Sequence, residues 1–235
     1  MYIFKHLPQN NYMKILPIVL ACASLAAPVC DYKVGNLIES NKFNNVSICS
    51  EGKLFRENIE IRVSNGSEEI VVEPSVNIGY SPNLFVANFL NNGLEQVLYS
   101  VESGGSGGYS FYQMFSFADE KATSVFNSED FKPNITASYK EENLIEIDYQ
   151  GKKLYLDSSN SGCQNHDDCN LYISDVNTIL PFYNIALDRY YLQVLQRIYG
   201  GYEANNFGYI SSLLEINEDG FTTISIGTLS NFHIK

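Results

Sequence analysis

The sequence contains no tryptophan and only three histidines among its 235 residues. Without tryptophan, a sugar site built on stacked aromatic rings has to rely on tyrosine or phenylalanine. The shortage of histidine leaves few residues for the general base of a serine–histidine–aspartate triad. We identify no catalytic residue in the sequence, and we expect the protein not to be an enzyme.

Basic residues are few, since 15 lysines and arginines stand against 27 aspartates and glutamates, which gives a net charge of −12. A surface of this sign repels the phosphates of nucleic acids and the headgroups of anionic membranes. We therefore exclude nucleic acid as a partner. We expect an unknown protein or envelope component instead, with a basic protein as one option.

Long hydrophobic runs are also absent. The longest apolar stretch, residues 15–27, is shorter than the roughly 20 residues that a membrane helix needs. It follows a lysine and ends in small residues, which is the layout of a secretory signal peptide. We predict a signal peptide over residues 1–26, cleaved after Ala26, and one mature domain over 27–235 that is periplasmic or extracellular. The alternative is a lipoprotein anchored at Cys22.

Closely spaced cysteines of the Cys-x-x-Cys type are missing, which argues against a thiolate metal site. Four cysteines follow the predicted signal peptide, and an exported chain forms disulfides in an oxidising compartment. Three pairings are possible. We expect the local one, which joins Cys30 to Cys49 and Cys163 to Cys169.

Alternation of apolar and polar residues is the main pattern of the chain, and it predicts an all-β, antiparallel fold. Such alternation over residues 59–63 precedes Asn65-Gly66, a dipeptide that favours a tight hairpin turn. A second hairpin is predicted over residues 144–156, turning at Gln150-Gly151. Residues 187–197 fit a helix or a strand, and their aromatic and β-branched residues favour a strand.

An internal similarity relates two segments that lie 97 residues apart. We interpret it as a repeated β unit, which predicts a small or degenerate β-propeller, with a β-sandwich as the alternative. The matched pairs are Phe85 and Phe182, Gln96 and Gln193, Val97 and Val194, Leu98 and Leu195, Val101 and Ile198, and Gly104 and Gly201.

Three motifs lie close together in the chain: Gly79-Tyr80-Ser81-Pro82, the segment FVANFLNNG over residues 85–93, and VESGGSGGY over residues 101–109. With QRIYGGY over residues 196–202, they resemble the bacterial secreted VCBS or FG-GAP repeat-containing proteins. The resemblance covers roughly residues 75–215. It implies a propeller-like fold in an exported group without an established activity.

The resemblance also makes calcium a candidate ligand, because family turns rich in aspartate can bind this ion through carboxylates. At the matching positions this chain has Asn88, Asn92 and Gly93, with Gln96 where an acid is expected. Amides in place of acids remove the charge that attracts a hard cation. We therefore expect no cofactor, and a calcium-stabilised structural module stays an alternative.

A glycine-rich segment, residues 104–108, joins two predicted strands rather than opening a helix, so it is not a phosphate-binding loop. Loops on a sheet scaffold often carry binding sites. We predict one ligand or partner surface around this segment and a second after residue 198. The candidate residues are Glu102, Ser106, Tyr109, Tyr112, Tyr199 and Tyr202. The candidate metal ligands are the adjacent acids Asp167 and Asp168 in the second disulfide loop.

Together these patterns predict an exported, non-catalytic binding or interaction protein. The alternative from another class is a secreted hydrolase of glycan or peptidoglycan. Such an enzyme would use two carboxylates whose separation a sequence does not give.

Overall fold

The computed structural model of the protein describes residues 29–34, 45–64, 68–105, 107–118, 121–141, 143–159, 169–202 and 205–230. These residues form strands and one 3-10 helix, and all strand pairs are antiparallel, which confirms the all-β prediction. The elements are β1 Val29–Val34, β2 Asn45–Glu51, β3 Phe55–Ser64, β4 Glu69–Val72, β5 Gly79–Ala87, β6 Gln96–Glu102, β7 Ser110–Ala118, β8 Lys121–Asn127, the 3-10 helix η1 Ser128–Asp130, β9 Ile135–Glu141, β10 Leu144–Tyr149, β11 Lys152–Asp157, β12 Leu171–Asn184, β13 Arg189–Gly200, β14 Asn206–Asn217 and β15 Gly220–Ser230.

The strands are arranged in three antiparallel sheets. The first runs β1-β2-β3-β5-β6-β7-β8, with β4 also paired to β3; the second runs β11-β10-β9; and the third runs β12-β13-β14-β15. Strand β3 links two parts of the first sheet. Its second half pairs with β2 and β4, while Phe55 and Arg56 at its start pair with β5.

The two predicted hairpins pair as expected. Strands β10 and β11 turn at Gln150 and Gly151, whose φ angles are +53° and +82°. Positive φ at both central residues matches the twist of an antiparallel hairpin. Strands β3 and β4 pair up to Ser64 opposite Glu69, and the Asn65-Gly66 turn lies outside the described residues. Residues 189–200 form β13, which confirms the strand prediction there.

Three hydrophobic clusters hold the sheets together. The first lies between the β1–β4 part and the β5–β8 part of the first sheet and includes Val46, Ile61, Tyr99 and Phe117. The second lies between β5–β8 and the third sheet, and the third cluster lies between the second and third sheets. Strands β6 and β7 therefore carry buried residues on both faces, as expected for a sheet with a layer on each side.

The third sheet covers two clusters with one face. Leu192 and Val194 on β13 belong to the second cluster, whereas Ile198 on the same strand belongs to the third. These residues lie two and four positions apart, so they point to the same side of the strand.

The repeated β unit predicted from the sequence is not reproduced in the pairing of the strands. Phe85 pairs with Leu98 across β5 and β6. Its counterpart Phe182 pairs with Tyr191. The counterpart of Leu98 is Leu195, which lies four positions further along the chain. The connection between β5 and β6 spans residues 88–95, whereas that between β12 and β13 spans only 185–188. The sequence similarity of the two segments does not extend to the register of their strands, because register follows loop length.

One predicted disulfide is confirmed. Cys30 and Cys49 lie directly opposite each other on β1 and β2 and are bonded. Cys169 is also disulfide-bonded, while its expected partner Cys163 lies outside the described residues. The predicted signal peptide and Cys22 lie outside them too. No helix in the described part of the chain is long and apolar enough to cross a bilayer.

Candidate ligand-binding cleft

The β6–β7 connection is a tight, hydrogen-bonded loop. The Ser103 amide donates to the Tyr109 carbonyl at 2.9 Å, and the Gly108 amide donates to the Gly105 carbonyl at 3.0 Å. Gly104 has a φ of +76°, and a Cβ there would lie 2.1 Å from the ring of Tyr80. Glycine is therefore required at this position by both conformation and space.

Asn177 fixes this loop to the third sheet. The side chain is buried on β12, and its amide nitrogen donates to the carbonyls of Gly107 at 3.1 Å and Gly108 at 2.9 Å. Both carbonyls are thus satisfied by one buried donor. The loop is thereby held in one position over β12.

A cleft with a volume of about 290 Å³ lies where the loop, β7, η1 and β12 meet. Tyr109 and Phe111 are among its lining residues, with the side chain of Phe111 packed against the first cluster, and the buried Val176 contributes apolar surface. Three serine residues and three charged residues complete the lining. These are Ser103, Ser110, Ser128, Glu129, Lys132 and Asp175. Small-molecule sites combine apolar surface with convergent polar groups, and this lining has both, with six polar residues among nine.

Helix η1 is anchored at its start by two side chains. Asn127 caps it by accepting from the Glu129 amide at 2.9 Å, as expected for asparagine at an N-cap. The buried Ser128 hydroxyl accepts from the Tyr112 amide at 2.9 Å. These bonds attach the helix to β7, and they place Glu129 at the cleft.

The charges of the cleft come from distant parts of the chain. Lys132 follows η1 and forms an ion pair with Asp175 of β12. Glu129 accepts a hydrogen bond from the Ser75 hydroxyl at 3.4 Å. Among the described residues that line the cleft there is neither histidine nor cysteine. The lining combines one ion pair, one further carboxylate and three serine hydroxyls.

The structure brings some predicted binding residues to the cleft and not others. Tyr109 lines it, and the exposed Glu102 lies at the end of β6, paired with Ser110. Tyr112 instead packs against the second cluster. Ser106 lies outside the described residues.

The second predicted patch is separate from the cleft. Tyr199 stacks on Tyr172 across β12 and β13, with ring centroids 5.4 Å apart. Tyr202 is exposed in the connection to β14. Neither tyrosine lines the cleft. Asp167 and Asp168, the predicted metal ligands, lie outside the described residues.

The asparagine-rich turn between β5 and β6 is organised by hydrogen bonds to its own backbone. The Gln96 side-chain oxygen accepts from the Phe89 amide at 2.7 Å and the Leu90 amide at 2.9 Å, and its nitrogen donates to the Leu94 carbonyl at 2.9 Å. The Asn88 and Asn92 side-chain oxygens also accept from backbone amides. Within the described residues, no group of three acids, histidines or cysteines converges as a metal site.

Sequence reasoning missed Lys132 and Asn177, and it grouped Asp175 with the acids near the second disulfide loop and not with the glycine-rich loop. They lie outside any glycine-rich or repeated motif, and they come together only through the packing of β12 against β7 and η1. One signal was present, since asparagine in a strand is unfavourable and indicates a role for its side chain.

Comparison with known proteins finds a distant relative. The chain is 27% identical over 189 residues to the uncharacterized protein YybI of Bacillus subtilis (strain 168). The aligned region covers 72% of this chain and 71% of that protein. No protein-family model matches the chain. No solved structure matches it either. The name of this relative states no activity. The resemblance to VCBS or FG-GAP proteins stays a prediction.

Proposed function

We propose that the protein is an exported, non-catalytic binding protein and that the cleft is its binding site. The observation that carries this proposal is the fixed position of the glycine-rich loop. A loop that one buried asparagine holds in place forms a wall without further ordering, and such preorganisation lowers the entropic cost of binding. The Cys30–Cys49 disulfide supports export, because disulfides persist in oxidising compartments.

The finer architecture is part of the proposal. Three open sheets stacked about common clusters fit a layered, sandwich-like arrangement, in which loops gather at the ends of the sheets. The cleft lies at such a place, where the β6–β7 loop meets a neighbouring sheet.

The proposal is tested by filling the cleft. Ser110→Trp places a large side chain in a lining position, and Ser225→Trp puts the same side chain at an exposed position on β15. A component of the native envelope or culture medium that binds the wild type and the Ser225→Trp variant should not bind the Ser110→Trp variant. Equal binding to all three, with all variants folded, would place the binding site elsewhere.

A hydrolase of glycan or peptidoglycan is the second candidate, and it is favoured by the two carboxylates, Glu129 and Asp175, that line one cleft. Glycosidases use such a pair. Turnover of cell-wall material that disappears in both Glu129→Gln and Asp175→Asn would support the enzyme. Binding without turnover would support the first proposal.

A further inference from the structure

We propose that the cleft binds an organic cation, namely an ammonium or guanidinium group carried on an aliphatic chain. This inference rests on the proposed function, because it assigns the chemistry of the ligand to the same cleft. It depends on the charge and the aromatic lining of the cleft.

The charges in the cleft do not cancel. The Lys132 ammonium group forms an ion pair with Asp175, so each neutralises the other. The Glu129 carboxylate has the Ser75 hydroxyl at 3.4 Å, and no ion pair joins it to a cation among the described residues. Among the lining residues one negative charge therefore remains, in a protein whose net charge is −12, and this field attracts cations.

The walls of the cleft add to this preference. Tyr109 lines it together with Glu129. The face of an aromatic ring attracts a cation, and its apolar surface accommodates an aliphatic chain. An anion would be repelled by Glu129, and a neutral sugar would gain little from its charge. The Glu129 carboxylate and the Tyr109 ring together thus favour an alkylammonium or alkylguanidinium group.

The size of the cleft limits what it accepts. A volume of about 290 Å³ is at the small end of known ligand pockets. The cleft therefore suits one cationic group with its chain, either as a free amine or as a lysine or arginine side chain of a basic protein. The recognition chemistry is the same for both sources.

Isothermal titration calorimetry at low ionic strength tests the inference with n-butylguanidinium and n-butylammonium, and with 1-pentanol as the neutral probe. We expect both cations to bind and the alcohol not to bind. Glu129→Gln should weaken cation binding about tenfold. Lys132→Gln should strengthen it severalfold, because a competing cation is removed and Asp175 is released. Tyr109→Leu should weaken it about threefold.

A matched control removes one carboxylate far from the cleft. Glu218→Gln, on the exposed turn between β14 and β15, changes the net charge as much as Glu129→Gln does, and it should leave the affinity unchanged. If both variants weaken cation binding equally, the weakening comes from the net charge of the protein and the inference is overturned.

The failures of the two proposals are distinguishable. If the alcohol binds as well as the cations, or if Glu129→Gln and Lys132→Gln have no effect, the cation assignment is wrong while the cleft stays a binding site. If no probe binds and Ser110→Trp leaves partner binding intact, the proposed function fails as well. A peptide with one arginine separates the sources: tighter binding than the free probe indicates a protein partner, and equal binding indicates a small amine.

Discussion

The side-chain amide of Asn177 donates to two successive carbonyls, those of Gly107 and Gly108, which lie 70 and 69 residues earlier in the chain. One residue of β12 thus determines the position of a loop that begins in another sheet. The cleft has a defined wall because of this contact, and the contact is open to direct test.

Asn177→Asp should loosen the glycine-rich loop. The variant keeps the shape of the side chain but replaces the donor by a carboxylate that faces two carbonyls, so we expect a loss of about 1–3 kcal/mol in the free energy of unfolding. Urea denaturation measures this loss of stability, and the hydrogen-exchange rate of the Gly108 amide measures the loosening of the loop. At Asn184 the side chain acts only as an acceptor, so Asn184→Asp is the control. Equal effects at both positions would contradict the role of the donor.

Gly104→Ala should destabilise the same loop by another mechanism. The new Cβ would approach the Tyr80 ring to 2.1 Å, and the φ of +76° would strain any other residue. We expect a loss of about 1–3 kcal/mol. Gly105→Ala is the matched control, because nothing lies within 4 Å of its Cβ position. A thermal melt of both variants makes the comparison, and a stable Gly104→Ala protein would show that the loop can move away from Tyr80.

Gln96→Glu tests the asparagine-rich turn. The carboxylate still accepts from the backbone amides, but it loses the donor to the Leu94 carbonyl and brings a charge to a fully buried position. We expect a loss on the order of 2–3 kcal/mol. Chemical denaturation with EDTA, and then with millimolar calcium, measures it. Recovery of stability in calcium would instead favour the calcium-stabilised module.

The charged network on the second sheet should weaken in acid. The Lys153 ammonium group hydrogen-bonds Glu146 at 2.7 Å and Asp148 at 2.8 Å. These bonds lower the pKa of both carboxyls, and the Gly151 amide also lowers that of Asp148. The pKa of Lys153 is raised by the same bonds. The carboxylates therefore stabilise the fold above their ordinary pKa values of 4.5 and 3.8, and they lose this contribution as the pH falls through the lowered values.

Lys153→Met provides the measurement for this network. The difference in unfolding free energy between wild type and variant should be constant from about pH 6 to 9 and should shrink below about pH 4. Lys121→Met, at the exposed start of β8, should show no such change with pH. A difference that persists in acid would indicate that packing of the lysine chain, and not its charge, is responsible.

Removal of the Cys30–Cys49 disulfide should lower stability by about 3 kcal/mol, because the bond closes a loop between residues separated by 19 positions and so restricts the unfolded chain. The double variant Cys30→Ser/Cys49→Ser, compared with wild type in guanidinium denaturation, measures this. A reductant should affect the double variant less than the wild type. Unchanged stability would mean that β1 contributes little to the fold.

The sequence allowed the local structure to be predicted better than the site. Alternating residues and the Gln150-Gly151 turn predict β10 and β11, because hairpin geometry depends on neighbouring residues. Strand register is not determined by such local similarity: Phe85 and Phe182 match in sequence, but their strands pair in different registers because the two connections differ in length. Among the residues that form the cleft, only Tyr109 and the glycine-rich loop were predicted from the sequence as a binding surface. Lys132 and Asp175 meet through tertiary packing, which no local pattern encodes.

The third sheet has a mechanical consequence for the whole protein. Because one face of β13 contributes to both the second and the third cluster, neither cluster can open without disturbing a strand that the other requires. Structural units that share strands in this way tend to unfold as one cooperative unit. The amides of Leu192 and Ile198 should therefore exchange with solvent at similar, slow rates, even though they lie over different cores.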